Sequence, residues 1–191
     1  MKPVYAKRLG HLAAGAVLAC AVIAAGRASA EVLDATANGF TVRETAHIAA
    51  APGKVYAALI APADWWSSSH TFSGNAANMT FDARAGGSWC ETLPNGGSAL
   101  LMTVARVVPG KALVLRGGLG PFQTMAVEGV MVWSLTPVAG GTDVMLVNAN
   151  GGYSKDGLDK ISHVADMVMS EQLARLKAFV ETGSAPEEKK P

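Results

Sequence analysis

Glu44 and Gln172 are polar residues at positions where the surrounding pattern is apolar. In the stretch FTVRETAHIA, residues 40–49, Phe40, Val42, Ala46 and Ile48 alternate with Thr41, Arg43, Thr45 and His47, and Glu44 falls with the apolar set. Either the strand edge or a bulge lets the carboxylate out to solvent, or it points into a cavity. A desolvated carboxylate there could act as a general base or fix a polar ligand group. Gln172 sits nearly in line with Ile161 and Phe179 on the apolar side of a helical pattern, so its amide needs a hydrogen-bond partner or water. Glu91 is a second candidate carboxylate and shares a strand face with Trp89; Trp133 pairs in the same way with Met131. Met102, Met131 and Met169 offer a soft thioether lining, and Leu176 lies on the helix face that carries Gln172.

Other chemistries find little support. After residue 30 the histidines are His47, His70 and His163, isolated in sequence, and no cysteine pair or HxH spacing accompanies them, so a metal site is not expected. No G-x-S-x-G turn appears, and His163 lies on the polar helix side, which argues against a serine triad. The glycines at 86–87, 117–120 and 140–141 fit neither a P-loop nor a dinucleotide fingerprint and read as turns, so no cofactor is implied. Cys90 reads as a small buried hydrophobe.

The elements that must position these residues follow from periodicity. After the strand at 40–49, Pro52 suits the first turn of a short helix whose apolar face is Val55, Tyr56, Leu59 and Ile60; a second short turn begins at Pro62 and contains Trp65 and Trp66. Two adjacent tryptophans cannot face one core, which places at least one at a rim. From 78 to 151 six strands follow, at 79–83, 88–93, 99–108, 112–117, 125–137 and 142–149, joined by Gly, Pro and Asn turns short enough for antiparallel neighbours. A helix of roughly 38 Å is expected from Asp156, as N-cap, to Thr182, with Gly183 and Pro186 as stop signals. Ile161, Val164, Ala165, Val168, Met169, Leu173, Leu176, Phe179 and Val180 form its apolar face, and His163, Asp166, Ser170, Lys177 and Glu181 lie opposite. An antiparallel sheet bent around that helix is an α+β architecture.

The chain has 191 residues, half of them hydrophobic, which suits one domain with short extras. Lys2, Lys7 and Arg8 precede an apolar run over 12–25, and Ala28-Ser29-Ala30 ends it, so residues 1–30 read as a signal peptide cleaved after Ala30. Val17-Leu18-Ala19-Cys20 faintly resembles a lipoprotein box, and only lipidation of Cys20 would give a stable membrane anchor. Residues 1–30 carry four basic groups (Lys2, Lys7, Arg8, Arg27) and no acid, so the formal charge passes from +1 for the whole chain to −3 for the remainder. A weakly acidic domain is a poor nucleic-acid binder. Residues 31–39 read as a loose lead-in, 40–183 as the domain, and 184–191 as a disordered tail.

Ile48-Ala49-Ala50-Ala51-Pro52-Gly53-Lys54-Val55-Tyr56-Ala57-Ala58-Leu59, then Trp65-Trp66, Asp82 to Trp89, Val104 to Pro109 with Leu113, Gly141-Thr142, and the closing Leu173, Leu176, Val180 and Glu181 together resemble the SRPBCC superfamily. That superfamily embraces START-type lipid carriers, the birch-pollen-allergen fold, polyketide cyclases and the domain related to activators of the heat-shock chaperone ATPase. The resemblance covers about residues 40–182 and implies a helix-grip fold: a curved sheet of about seven strands around a C-terminal helix, two short helices after the first strand, and an apolar cavity between sheet and helix. Fold alone does not assign function. An export signal, and Met169 where the chaperone-activator type often shows a tryptophan, argue against cytosolic chaperone activation.

The expectation is therefore an exported, periplasmic or secreted protein that encloses a small hydrophobic molecule, with Glu44, Trp89, Glu91, Met102, Met131, Trp133, Met169, Gln172 and Leu176 lining the cavity. One alternative is a cyclase or dehydratase using Glu44 or Glu91 as base. The other is a protein-interaction module of the envelope, using Trp65 or Trp66 and the loop from Gly117 to Phe122.

Overall fold

The computed structural model describes residues 29–187. In chain order the elements are β1 (Ser29–Thr36), β2 (Gly39–Ile48), α1 (Pro52–Leu59), β3 (Met79–Phe81), β4 (Ser88–Thr92), β5 (Ser98–Val108), β6 (Ala112–Arg116), β7 (Ala126–Val138), β8 (Gly141–Tyr153) and α2 (Ser162–Thr182). The strands form one antiparallel sheet in the order β1-β2-β8-β7-β6-β5-β4-β3. Bulges in the β1–β2, β4–β5 and β5–β6 ladders bend it, and α2 lies along the concave side, packed mostly on β2. This is the expected α+β helix-grip architecture, with α1 and a turn of 3-10 helix at Pro62–Asp64 as the two short helices.

Four expectations are corrected. The sheet has eight strands rather than about seven, because residues 29–36, expected to include a loose lead-in from Glu31, pair with β2; Glu31 also makes a 2.6 Å ion pair with Arg43. This strand escaped the periodicity test because as an edge strand it buries almost none of its side chains. The long helix begins at Ser162 instead of at Asp156: Gly157 has φ +87°, incompatible with a right-handed helix, and a 3-10 turn over Asp159–Ile161 leads in. Trp65 and Trp66 are both buried, at 2% and 3% exposure. They fit one core by meeting edge to face at 5.6 Å, Trp65 continuing to Trp133 at 6.3 Å and Trp66 to Trp89 at 4.8 Å. Cys90, expected to be buried, is only partly so, since it faces away from Trp89 and Glu91 on the convex side.

The stop signal at Gly183 acts as read, with φ +88° and its N–H donated to Phe179 O at 2.9 Å. The last turns of α2 are tied to β2 by Lys177, which donates to His47 O, and by Glu181, which accepts from Ala49 N and Lys177 Nζ. Residues 184–187, at the start of the expected tail, are tethered where Arg175 donates to Pro186 O at 3.0 Å and Ala185 packs on the core. The apolar run that precedes Ser29, with Cys20 in it, lies outside the described residues.

The tryptophan cluster is the thickest part of the core, so Trp65→Ala is expected to cost about 3–5 kcal/mol of unfolding free energy and to flatten the near-ultraviolet dichroism. Urea unfolding followed by both signals checks this.

Candidate functional site

The polar residues that the sequence directs inward, Glu44, Glu91 and Gln172, do point inward, at 1% exposure or less, and two that it did not single out, Asn148 and Asn150, are buried beside them at 4% and 5%. What separates them is whether the fold already uses their hydrogen-bonding groups.

Glu91 and Gln172 are largely committed to the fold. The Glu91 carboxylate accepts the backbone N–H groups of Phe72 and Ser73, which holds the 72–78 loop against β4. Gln172 Oε1 accepts Ser67 N at 2.9 Å, and one turn along the helix Arg175 Nε donates to Trp65 O at 2.8 Å. The two bonds clamp the tryptophan loop to α2, while Gln172 Nε2 has no partner. Trp89, Trp133, Met131, Met169 and Leu176 are core residues, and the space around the tryptophans has closed to about 10 Å³, lined by Leu59, Trp65, Trp66, Trp89, Leu113 and Trp133. The middle of the gap between sheet and helix is filled.

Glu44 is different. It lies on the concave face of β2 with 1% exposure, and neither oxygen has a hydrogen-bond donor among the described residues. Its neighbour is the carboxyl of Asp166 on α2, whose Oδ1 is also buried without a donor. Burial, then the charge of Asp166, then the hydrogen bond that a protonated Glu44 can donate to Asp166, push the Glu44 pKa up from 4.5 to about 8. Glu44 therefore carries its proton at neutral pH.

Asp166 was assigned to the outward side of the helix, and Val164 to the inward side. The structure reverses both, Val164 being 54% exposed. Asp166 precedes Leu173 by two turns, about 20° off in phase, whereas Val164 lies about 140° from Met169. The heptad spacing to Leu173 was the available signal.

The large opening lies elsewhere, in a cleft of about 840 Å³ between the first half of β5 and the loop over Gly120–Thr124. It exists because β6 stops at Arg116, opposite Thr103, and leaves Ser98–Leu101 without a strand on that side. There the carbonyl of Leu100 is taken by Gln123 Nε2 at 2.6 Å instead. The walls include Phe72, Leu93, Leu100, Met102, Phe122 and Met125, with Arg116 and Glu128 at the rim. Of the nine residues expected to line a cavity, Met102 alone reaches this cleft. The shortness of β6 was legible in the Gly117-Gly118 break; that the gap would open inward was not.

Because Glu44 takes up its proton at a higher pH in the folded chain than in the unfolded one, its contribution favours folding below pH 4.5. It is lost as the pH rises toward 8, by up to about 1.4 kcal/mol per pH unit. Glu44→Gln removes this titration, so the variant should gain stability over the parent progressively from pH 5 to pH 8, read as the difference in urea unfolding free energy at each pH.

The family model "Activator of Hsp90 ATPase homolog 1-like protein" matches residues 49–181. No curated protein matches the chain. Among solved structures, a protein from Chromobacterium violaceum aligns with a TM-score of 0.52 at 19% identity, over 77% of this chain and 98% of its own. The Aha1 dimer from Colwellia psychrerythraea aligns at 0.51 and 22%, over 75% of this chain and 97% of its own. DynU16, a protein in the dynemicin biosynthetic locus, aligns at 0.55 and 20%, over 76% of this chain and 48% of its own. At such identities the structural likeness speaks for the fold. The family model extends over more than half of the sequence and over the elements from α1 to the end of α2, so the chain belongs to the activator of Hsp90 ATPase homolog 1-like family, within the SRPBCC superfamily.

Proposed function

We propose that this protein is an exported carrier of a small hydrophobic molecule, held in the cleft between β5 and the Gly120–Thr124 loop instead of beneath the middle of α2. The observation that carries the reading is the cleft itself: about 840 Å³ of open space whose walls mix apolar and polar side chains, in a fold of the hydrophobic-ligand-binding kind. Phe72 and Leu100, 48% and 55% exposed, are large apolar side chains on its walls that the fold leaves in water. A ligand covering about 300 Å² of apolar surface would gain about 7 kcal/mol before the costs of association are subtracted.

Export is supported by the N-terminal pattern and is compatible with the sheet. Cleavage after Ala30 would take only the first two residues of the edge strand β1 and keep the Glu31–Arg43 pair. No helix among the described residues is long and apolar enough to cross a membrane.

Catalysis by a buried acid is favoured by Glu44 alone, which holds a proton at neutral pH but does not line the cleft. The interaction-module reading loses Trp65 and Trp66, both of which are buried.

Naphthalene is a suitable neutral probe. It should raise the melting temperature of the secreted protein and bind in a fluorescence titration, and Leu100→Arg, an exposed substitution, should weaken binding about tenfold with little change in unligated stability. Absence of binding by the parent protein, or equal binding by the variant, would remove the cleft as the site. Intact mass of the chain recovered from the envelope or medium tests the cut after Ala30; a full-length mass would overturn export by this route.

A further inference from the structure

The convex face of the sheet looks away from α2, and its centre is apolar. Strand register sets Val114 of β6 beside Val132 of β7, and Val132 beside Val147 of β8. Val130 and Ala149 pair in the next row toward the cleft, and Met145 lies beside Ser134 in the next row the other way. These positions alternate with buried concave-face residues such as Met131 and Leu146, so their side chains point to the opposite side. The four valines and Ala149 are only half-buried, and Met145 is 37% exposed. The solvated face of an antiparallel sheet is ordinarily polar, and a contiguous apolar patch across three strands marks a contact surface.

The polar border of the patch is nearly neutral. Glu31 takes Arg43 at 2.6 Å and Asp143 takes His47 at 2.9 Å, which leaves Arg106, Arg116 and Glu128 around the rest of it. Such a border offers little to a nucleic acid or an anionic bilayer, both of which call for concentrated positive charge. The face formed by β2, β8, β7 and β6 measures about 19 Å across the strands and about 27 Å along four same-face rows, roughly 500 Å². Stable complexes bury about 800 Å² per partner, and transient ones about 600 Å² or less. The area therefore fits a reversible pairing and falls short of an obligate one.

We infer that the convex face is a homodimer surface, on which the patch centred on Val132 and Val147 packs against the same patch of a second copy. Two sheets stack face to face about 10 Å apart with their side chains interdigitated, which a surface of valine rows permits. A second copy brings an equally apolar and equally neutral face, so no charge is buried unpaired at the centre. Arg116 and Glu128 border the patch and also line the cleft, so the second copy stands beside the cleft mouth. The inference is independent of the carrier reading, since it uses none of the apolar walls of the cleft.

Sedimentation velocity of the purified protein across the micromolar range should show monomer passing into dimer as the concentration rises. Val147→Lys places a charge at the centre of the patch, on the solvent side of β8. It should stay monomeric at every concentration while keeping the melting temperature of the dilute parent. Val132→Thr keeps the β-branched shape and serves if the lysine variant does not fold. It should raise the dimer dissociation constant about tenfold, because both copies lose an apolar contact. Met167→Lys, at a 64% exposed position on α2, should dimerise like the parent. A parent that stays monomeric throughout, or a dimer that survives Val147→Lys, would overturn the inference, as would a dimer lost in Met167→Lys and kept in the two sheet variants.

Discussion

The separation between sheet and helix is set by tryptophan. Trp65 and Trp66 come from a loop rather than from a strand or helix, and they reach the core because α2 holds that loop by its backbone, through Gln172 to Ser67 N and Arg175 to Trp65 O. Trp133 and Trp89 rise from β7 and β4 to meet them edge to face. Four indoles in contact fill the centre of the grip almost completely, so a ligand has to sit beside the cluster. Space is therefore left where the sheet itself is interrupted, at the end of β6.

This division of the concave face also divides its polar groups. Near the tryptophans, buried polar atoms are mostly spent on holding loops: Glu91 on residues 72 and 73, Gln172 and Arg175 on residues 65 and 67. Trp89 Nε1 and Gln172 Nε2 are left over there, and away from the cluster, on β2 and β8 and in the first half of α2, Glu44, Asn148 and Asp166 retain buried atoms without partners. Buried polar groups are normally bonded, and such groups persist where they have another use or are met by water. The raised pKa of Glu44 has its cause in the same place: burial first, then the neighbouring charge of Asp166, make the carboxyl most stable holding its own proton.

Much of this could be read in the sequence, and the failures have physical causes. Alternation placed Phe40, Val42, Glu44, Ala46 and Ile48 on one face, and the structure buries all five. The six strands after residue 78 appear within a few residues of their expected ends, because each is bounded by glycine, proline or asparagine at a turn. Edge strand β1 was not legible, since a strand that buries little has no reason to alternate. Gln172 was singled out correctly as inward but not for the task it performs there, since a contact 105 residues away in sequence leaves no local trace. Asn148 and Asn150 lie at period two in β8 with Val144 and Leu146 and could have been found by the argument that found Glu44.

The glycines at 117 and 129 show why turn-like composition can carry more than turns. Gly117 was read as punctuation after a strand, and in part it is, since β6 ends there. Gly129, which exchanges backbone hydrogen bonds with Gly117, lies inside β7, where a glycine weakens a strand and usually marks a close approach. Here the close approach is the side chain of Asn150, whose Oδ1 occupies the place a Cβ would need. Asn150 Nδ2 in turn donates to Asn148 Oδ1 and orients it, so the absence of a side chain at Gly129 is a condition for the direction in which the Asn148 donor faces. A glycine inside a long strand thus connects the break in the sheet that makes the cleft to the polar row behind it, and the two features belong to one piece of architecture.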